Sequence, residues 1–528
     1  MLRTQSVVDS KRHGSAAIYA NFELGCLTLI VVLAFCLRFF GIWRGYPLIV
    51  HSDEPYIEYP ALEMLKRFDL KPHGFTYPSL IIYLQCLLAA LTAVYKYVIH
   101  GVRFEDIPKV DFFVVGRAVA ALASSLSIVF VWLIGRKIAN AIVGLLAAGI
   151  VAASPLHVRL SYLVTVDIWT AIFTVVVFYF CTRIYENGAR RDYLLAGVFV
   201  GLAAGSKYTA AISLVSVLVA HGLGCHNNNN NQKALWFDRR LLYCAVVSIA
   251  AFFATSPYVI LDHSKFFSDL GDISSHYTGG HPGAEAVGDH SYGLAASALL
   301  SSGGIGATAS ILALAGIILA AYRTNPTCLM LVGFTVTFFL FVGKYKVFFP
   351  RNVACLIPPL ALLAAYSINE FLLLFNGSRT ARLAVASLVF AAIALPLLYS
   401  SANETISANA TDTRWVSLQW IQANLPAGSK IAREKYTPPV EEFSPGFRVV
   451  DLGVAGAYYN LSEIDNNIDY VILSNLDYGR FFAEPIRYAR QVGFYSDFFQ
   501  KNTLIYELKP DGKTVGPTIR IFKGRFYK

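Results

Sequence analysis

The stretch HSDEPYIEY, residues 51–59, places three carboxylates directly after the first long apolar run of the chain. Asp53 and Glu54 are adjacent, and Glu58 follows four residues after Glu54. A carboxylate held beside a reacting hydroxyl can accept its proton as a general base. An acidic stretch of this kind is more often a solvated loop, so the rest of the chain has to distinguish between the two interpretations.

The composition is that of an integral membrane protein. Of the 528 residues, 55% are hydrophobic and only 15% are charged, whereas a soluble domain averages about 25% charged residues. The net charge of +10 is modest and is not gathered into a stripe, so nucleic acid is not expected as a partner. The run 24–42 is long enough to stay in the membrane as an anchor, and we do not expect a cleaved signal peptide.

Apolar runs predict about eleven membrane-spanning helices. The predicted spans are 24–42, 113–134, 139–155, 168–184, 193–205, 208–223, 241–261, 294–321, 326–343, 352–374 and 382–400. A further apolar run, 79–99, is a candidate twelfth span. Clusters of Lys and Arg mark the cytoplasmic side of a membrane, and all clusters fall on that side only if 79–99 does not cross. We therefore expect 79–99 to be an interfacial helix within one long external loop, residues 43–112.

This topology puts the N-terminus in the cytoplasm and the C-terminal region outside. Everything after residue 400 then shares the external face with the segments 43–112, 156–167, 262–293 and 344–351. The tract NNNNN (227–231) falls in a cytoplasmic loop and is of low complexity. All eight cysteines lie in or beside apolar runs without a CxxC or Cys/His metal-ligand spacing, which predicts core residues.

Residues 401–528 differ in character and predict a small soluble α/β domain, separate from a membrane domain of residues 1–400. Asp412 is a candidate N-cap for a helix that ends at LPAG (425–428). A second helix is expected around 482–491. The predicted strands are 448–453, 469–475, 503–508 and 518–522.

Acidic and basic side chains converge on the predicted external face. The acids are Asp53 and Glu54 in the first loop and Asp167 at the end of SPLHVRLSYLVTVD (154–167). The other polar groups are Lys207 and Tyr208 in GLAAGSKYTA (201–210) and Lys344, Lys346 and Arg351 in GKYKVFFPRNV (343–353). Ionisable groups at membrane depth are costly enough to indicate function. The structural alternatives are a helix N-cap for Asp167 and a snorkelling interfacial lysine for Lys207.

The order of these segments resembles the GT-C superfamily of membrane glycosyltransferases that use polyprenyl-phosphate sugars. The closest likeness is to the branch that holds the protein O-mannosyltransferases and the lipid A aminoarabinose transferases, and it covers roughly residues 20–400. The shared pieces are the Asp-Glu pair, the downstream YPSL, and the three segments just quoted. Where those enzymes often have Pro-Pro-Leu, this chain has Tyr77-Pro78-Ser79-Leu80, so contacts with acceptor and lipid are expected to differ there.

The resemblance implies an inverting transfer of a sugar from a polyprenyl-phosphate donor to an acceptor hydroxyl on a protein, lipid or glycan. Asp53 is the expected base, supported by Glu54 and Asp167, and cations neutralise the departing phosphate. The expected phosphate ligands are Lys207, Tyr208, Lys344, Lys346 and Arg351, and the expected substrate contacts are Tyr77, Pro78 and Tyr162. Asp53 and Asp167 could share a divalent cation, Mg²⁺ or Mn²⁺, although the resemblance does not require one.

Two other classes of function stay open at this point. A lipid-linked-sugar transporter or flippase would place charges near the bilayer midplane and broken helices in paired halves, whereas these charges gather at one rim. A non-catalytic cell-envelope assembly protein would bind partners through residues 401–528. We favour the glycosyltransferase, in a bacterial plasma (inner) membrane, with the Gly-rich segment 279–293 as a lid.

Overall fold

The computed structural model describes residues 2–227, 238–286, 288–453 and 468–524. Residues 228–231 of the Asn tract and residue 287 of the predicted lid lie outside the described residues. Packing divides the chain into two compact units. The larger unit comprises Met1–Ile42, His51–Gly279 and Ala286–Thr405, and the smaller comprises Trp43–Val50, Gly280–Glu285 and Ile406–Lys528. The smaller unit thus includes two segments that the predicted division at residue 400 leaves in the membrane domain.

The described residues up to 408 form α-helices joined by loops and short 3₁₀ turns. The helices are α1 (Leu2–Phe40), α2 (Pro55–Arg67), α3 (Leu80–His100), α4 (Lys109–Ile138), α5 (Ala141–Ala153), α6 (Pro155–Ser161), α7 (Val166–Asn187), α8 (Arg190–Ser206), α9 (Leu214–Asn227), α10 (Arg239–Thr255), α11 (Tyr258–Leu261), α12 (His263–Gly279), α13 (Tyr292–Leu300), α14 (Gly306–Arg323), α15 (Pro326–Gly343), α16 (Ile357–Leu374) and α17 (Arg379–Ala408). The 3₁₀ turns Tyr208–Ser213 and Pro350–Leu356 precede α9 and α16.

Within the described residues, nine helices are long and apolar enough to cross a membrane, and the bent pair α5–α6 makes a tenth. The chain is a multi-pass membrane protein, as its composition predicts. Helices α8 and α10 have 17 residues each, slightly fewer than the roughly 20 residues of a full span. The predicted single span 294–321 is wrong, because α13 ends at Leu300 and α14 begins at Gly306. The Gly-rich link between them breaks the helix, and Gly304 lies so close to the Ala298 carbonyl that a Cβ there would clash.

Small residues bring α8 and α10 into close contact, which sets the position of the end of α8. A Cβ on Gly197 would lie 2.6 Å from the Cys244 carbonyl oxygen, and one on Gly201 would lie 2.5 Å from that of Ser248. Glycine at both positions therefore allows the two backbones to approach, as is common between membrane helices. Helix α8 ends at Ser206, and Lys207 follows in an extended conformation.

The smaller unit contains a five-stranded mixed sheet with the order β3-β2-β4-β7-β5. Its strands are β2 (Lys430–Arg433), β3 (Arg448–Asp451), β4 (Tyr470–Ser474), β5 (Thr503–Leu508) and β7 (Ile519–Lys523); β1 (Thr411–Asp412) pairs with β6 (Thr514–Val515). Strands β2, β3 and β4 are parallel, and β7 is antiparallel to β4 and β5. The accompanying helices are α18 (Thr413–Asn424), α19 (Val440–Phe443), α20 (Asn475–Phe482) and α21 (Ala489–Lys501). Together the two units confirm the predicted fold class.

The local predictions for this unit are largely confirmed. The Asp412 side chain caps α18 by accepting the Arg414 N–H at 2.9 Å. The four predicted strands correspond to β3, β4, β5 and β7. The predicted helix at 482–491 is wrong, because α20 ends at Phe482 and α21 begins at Ala489. Pro485 lies between them and lacks the backbone N–H that a continuous helix needs.

Helix α3 satisfies the length and hydropathy of a membrane span, and two of its contacts bear on the predicted interfacial position. At its start, Leu80 packs against Gly205 at the end of α8. Near its end, the Lys96 ammonium pairs with Asp111, in the first turn of α4, at 2.9 Å. The two contacts tie α3 to the end of α8, which Lys207 follows, and to the first turn of α4, about two turns before Arg117. The interfacial position of this helix, about 31 Å long, stays a prediction.

Labelling of single cysteines tests this topology. Cysteines at the exposed positions Phe68 and Glu105, on either side of α3, should react with a membrane-impermeant maleimide from the same side of the membrane. A cysteine at exposed Lys137, at the far end of α4, should react only from the opposite side. The chain without an added cysteine supplies the background. Reaction of position 105 from the side that labels position 137 would show that α3 crosses.

Candidate active site

A fully buried ion pair between Glu54 and Arg117 positions the acidic first loop. The Arg117 guanidinium donates from Nε to Oε1 of Glu54 at 2.7 Å and from Nη2 to Oε2 at 2.6 Å. Its Nη1 donates to the Ile42 carbonyl at 3.0 Å, and the Val164 N–H donates to Glu54 Oε1 at 2.9 Å. Both side chains have no exposed surface. Four separate parts of the chain are therefore joined at this ion pair.

The electrostatics of Glu54 agree with a positioning role. Burial by itself would raise the pKa of Glu54, but the charge and hydrogen bonds of Arg117 outweigh it, so the pKa lies below its ordinary value. The carboxylate therefore stays ionised, with both oxygens hydrogen-bonded to Arg117. The structure gives Glu54 no open surface at which a substrate proton could reach it, which favours support of Asp53 over direct catalysis.

Four side chains form a row of alternating charge beside this pair. Arg351 Nη1 lies 3.0 Å from Oδ2 of Asp53, and its Nε lies 3.9 Å from Oδ2 of Asp167. Lys207 Nζ lies 2.7 Å from Oδ1 of Asp167. The Asp167 side chain is only 4% exposed, whereas Asp53 is 15% and Arg351 is 21% exposed. Lys207 is 18% exposed. The row, which we call the charged row, is thus partly open to solvent at both ends and nearly closed at Asp167.

Local structure explains how Asp167 and Lys207 meet. Thr165 is the N-cap of α7 and Asp167 lies in its first turn, where a carboxylate is favourable at the positive end of the helix dipole. The alternative that Asp167 is the N-cap is therefore wrong, because the N-cap lies two residues earlier, at Thr165. Burial lowers the pKa of Lys207, but the adjacent Asp167 carboxylate outweighs this effect and raises it. Lys207 also donates to Oδ1 of Asn352 at 3.2 Å, so it is anchored within the protein and does not snorkel.

The segment FTYPSL (75–80) is held beside the charged row by three hydrogen bonds. The Phe75 N–H donates to Asp269 at 2.9 Å, the Ser79 N–H donates to Ser256 Oγ at 3.1 Å, and the Tyr208 hydroxyl donates to the Phe75 carbonyl at 3.1 Å. Tyr208 thus holds the backbone of this segment in the structure. Pro78 is buried and Tyr77 is half-buried. Burial, and then the charge of Asp53, raise the pKa of the Tyr77 phenol, which keeps it neutral.

The other predicted site residues take no part in the ion pairs of the charged row. Tyr162 is fully buried with its ring against Gly41, where a Cβ would clash; this packing does not support the predicted contact with substrate. Lys344 is exposed and Lys346 is half-buried. The backbone around them meets the predicted lid, since the Ala286 N–H donates to the Lys346 carbonyl at 2.9 Å. The lid and the two lysine roles stay predictions.

The two carboxylates do not fit a shared divalent cation in this arrangement. The Arg351 guanidinium lies between Asp53 and Asp167 and supplies the positive charge there. Within the described residues, no third His, Cys, Asp or Glu joins them in a group with metal-ligand spacing. We therefore derive no step through a metal at this site.

Sequence analysis did not single out Arg117, Asn352 or Asp269. Arg117 could have been found, because a charge inside the predicted span 113–134 is costly and requires a partner. Asn352 and Asp269 carry no such signal, since polar residues in loops are common. Their roles depend on contacts across the fold.

The Glu58 carboxyl is buried near the Glu54–Arg117 pair. Among the described residues, its two oxygens have no hydrogen-bond partner, and neither has the amide of buried Gln85. Burial, and secondly the charge of Glu54, raise the pKa of Glu58 to about 8. Glu58 is therefore protonated at neutral pH in the folded protein.

Comparisons with known proteins agree with this fold. Residues 109–260 match a family model described as dolichyl-phosphate-mannose-protein mannosyltransferase, and a search of curated proteins found no significant match. The archaeal oligosaccharyltransferase AglB from Archaeoglobus fulgidus, in complex with an inhibitory peptide and a dolichol-phosphate, is similar at 14% identity and a TM-score of 0.57; the match covers 93% of this chain and 73% of AglB. ArnT from Cupriavidus metallidurans bound to undecaprenyl phosphate is similar at 15% identity and a TM-score of 0.53, over 95% of this chain and 98% of ArnT.

At these identities the structural likeness shows a shared fold, which is that of the GT-C membrane glycosyltransferases. The family-model match runs from the start of α4 into α11 and contains Arg117, Asp167 and Lys207. The predicted resemblance to GT-C enzymes is confirmed, and so is the prediction of a glycosyltransferase.

The Glu54–Arg117 pair can be tested through stability. Glu54→Gln leaves a buried guanidinium without its counter-charge, and we expect a loss of about 3–5 kcal/mol. The double variant Glu54→Gln/Arg117→Met should recover part of it. Thermal unfolding of the purified protein measures both. As a control, Glu186→Gln breaks the exposed pair with Lys137 and should cost less than about 1 kcal/mol. A Glu54→Gln protein with unchanged stability and no turnover would instead make Glu54 catalytic.

The protonation of Glu58 predicts a pH-dependent effect. Between the ordinary value of 4.5 and about 8, the folded state holds a proton that the unfolded state has lost, so stability falls as the pH rises through this window. Glu58→Gln carries no charge to bury. It should match the wild type near pH 5 and exceed it at pH 8 by an amount on the order of 4 kcal/mol. Thermal unfolding across this pH range measures it, with exposed Glu63→Gln as the control; equal midpoints for Glu58→Gln and wild type at pH 8 would contradict a buried acid.

Proposed function

We propose that this protein transfers a sugar from a polyprenyl-phosphate donor to an acceptor hydroxyl, with inversion at the anomeric carbon. The observation that carries the proposal is the charged row, which combines two carboxylates and two cations at a partly exposed site. Among proteins that share the fold, AglB is described in complex with a dolichol-phosphate and ArnT with undecaprenyl phosphate. These complexes support a lipid-phosphate donor of the same class here.

The two cations stabilise the leaving group. A polyprenyl-phosphate sugar is a phosphodiester with one negative charge, and cleavage of its bond to the sugar leaves a phosphate with a second charge. The attraction of Arg351 and Lys207 for the phosphate grows as the bond breaks and the second charge develops. They therefore stabilise the transition state more than the bound donor, which is the requirement for catalysis. Both are held by carboxylates before the donor arrives, so they are already oriented. Tyr208, Lys344 and Lys346 are proposed as further contacts of the donor.

Asp53 takes the acceptor proton. The acceptor oxygen forms its bond to the anomeric carbon as its proton passes to Asp53 and the bond to the phosphate oxygen breaks. Asp53 is the more exposed of the two acids in the charged row, so an acceptor can reach it. Asp167 holds Lys207 and Arg351, and Glu54 fixes the backbone next to Asp53. Tyr77 and Pro78 lie at the edge of the site as proposed substrate contacts.

The proposed location is the plasma membrane, with the N-terminus in the cytoplasm and residues 401–528 outside, so that the donor is used on the extracytoplasmic face. A structure of AglB is described as a complex with Zn and sulfate. The proposed reaction here needs no metal, because Arg351 occupies the position between the two carboxylates.

Asp53→Asn tests the base. The change keeps the shape of the side chain but removes its basicity, so turnover should fall about 10²- to 10⁴-fold. Release of labelled sugar from a panel of polyprenyl-phosphate sugars measures turnover, and binding of undecaprenyl phosphate measures the donor site. Binding should stay within a fewfold of wild type in Asp53→Asn. In Lys207→Gln, by contrast, it should weaken about ten- to hundredfold.

Asp69→Asn is the matched control, because Asp69 is an exposed acid in the same predicted external loop. It should leave both measurements unchanged. Turnover of Asp53→Asn within a fewfold of wild type would exclude Asp53 as the base.

A further inference from the structure

A second cluster of potential ligands lies at the other end of the span Tyr208–Cys225 from Lys207. His221 and Cys225 are one helical turn apart on α9, and Asp238 directly precedes α10. One ligand atom of each residue lies within 4.8 Å of the other two. In the described parts of the chain, this is the only group of three such side chains with that spacing.

The distance between the nitrogen and the sulfur fits a zinc ion. His221 Nε2 lies 3.6 Å from Cys225 Sγ. In a tetrahedral site with Zn–S near 2.3 Å and Zn–N near 2.05 Å, these two ligand atoms are about 3.6 Å apart. The side chains therefore already have the separation that a shared ion would require, without rearrangement of α9.

Tyr193 orients the His221 ring for such a role. Its hydroxyl lies 2.6 Å from His221 Nδ1, and both side chains are buried. When Nδ1 carries the proton and donates it to the Tyr193 oxygen, Nε2 presents its lone pair beside Cys225. A hydrogen bond of this kind to the second ring nitrogen is a regular feature of metal-binding histidines.

Asp238 is paired with Arg240. Its Oδ1 accepts the backbone N–H of Arg240 at 2.8 Å and the guanidinium Nε at 3.0 Å, and its Oδ2 accepts Nε at 3.0 Å and Nη2 at 2.5 Å. These four contacts fill the roughly four acceptor positions of a carboxylate, so a bound ion would replace one of them; Nε, which both oxygens share, can give up one contact and keep the other. With Cys225 as a thiolate, Cys225 and Asp238 together carry two negative charges, which balance the two positive charges of the ion. The positive charge of Arg240 then remains beside an otherwise neutral site.

We propose that His221, Cys225 and Asp238 bind one Zn²⁺ ion that joins the end of α9 to the start of α10. An imidazole, a thiolate and a carboxylate together favour Zn²⁺ over Mg²⁺ or Ca²⁺, which prefer oxygen ligands alone. Three protein ligands leave the fourth position for water. The proposal differs from the prediction that the cysteines lack a metal-ligand spacing. The sequence already places His221 and Cys225 four residues apart, and the fold adds Asp238 to them.

Cobalt titration tests the site on the full chain. The protein is purified in detergent without a histidine tag, stripped with a chelator, and titrated with Co²⁺, whose thiolate complexes absorb in the near ultraviolet. We expect one equivalent to bind and Zn²⁺ to displace it. Cys225→Ser should abolish the absorption, whereas Cys36→Ser, at an exposed cysteine, should retain it. Tyr193→Phe keeps the ring and should weaken binding roughly 10- to 100-fold.

Absorption that persists in Cys225→Ser, or wild-type protein that binds no Co²⁺ through a thiolate, would overturn the proposal. Alkylation of wild-type Cys225, followed by peptide mass spectrometry, gives a test that does not depend on the folding of a variant. Zn²⁺ should slow alkylation of Cys225, whereas Mg²⁺ at the same concentration should not, because Mg²⁺ prefers oxygen ligands. Equal rates for Cys225 with and without Zn²⁺ would also overturn it.

Discussion

The buried ion pair of Glu54 and Arg117 is the constraint on which the site depends. An uncompensated charge at this depth would be costly, so the pair, once formed, holds its partners firmly. Glu54 immediately follows Asp53, and the Val164 N–H that it accepts lies three residues before Asp167. One carboxylate therefore sets the positions of both acids of the charged row, although it has no surface for substrate.

The charged row illustrates how a site can be organised before substrate binds. Each cation is held by at least one carboxylate, and the nearly buried Asp167 contacts both Lys207 and Arg351. In the proposed reaction, donor phosphate would meet groups that are already oriented, which lowers the reorganisation needed. The proposed acceptor hydroxyl would approach at Asp53, which is more exposed than Asp167. Burial thus separates the two acids of the charged row.

The two ends of the membrane region have different chemistry. Ammonium, guanidinium and carboxylate groups gather around Lys207, whereas an imidazole, a thiol and a carboxylate gather at the other end of the same span. A metal at the latter would join α9 to α10, and α10 packs closely on α8, which ends just before Lys207.

The sequence by itself determined the membrane class, the C-terminal α/β unit and most of the charged row, because hydropathy, strand patterning and motif order are local properties. Asp53, Asp167, Lys207 and Arg351 were identified in this way. The expectation that Asp53 is the base and Glu54 its support came from the resemblance to GT-C enzymes, since adjacent carboxylates differ physically only in what surrounds them. Tertiary structure decided that difference: Arg117, an isolated charge in an apolar run, buries Glu54 and leaves Asp53 partly exposed. Partner choice and burial arise from contacts between residues far apart in the chain, which no local pattern encodes.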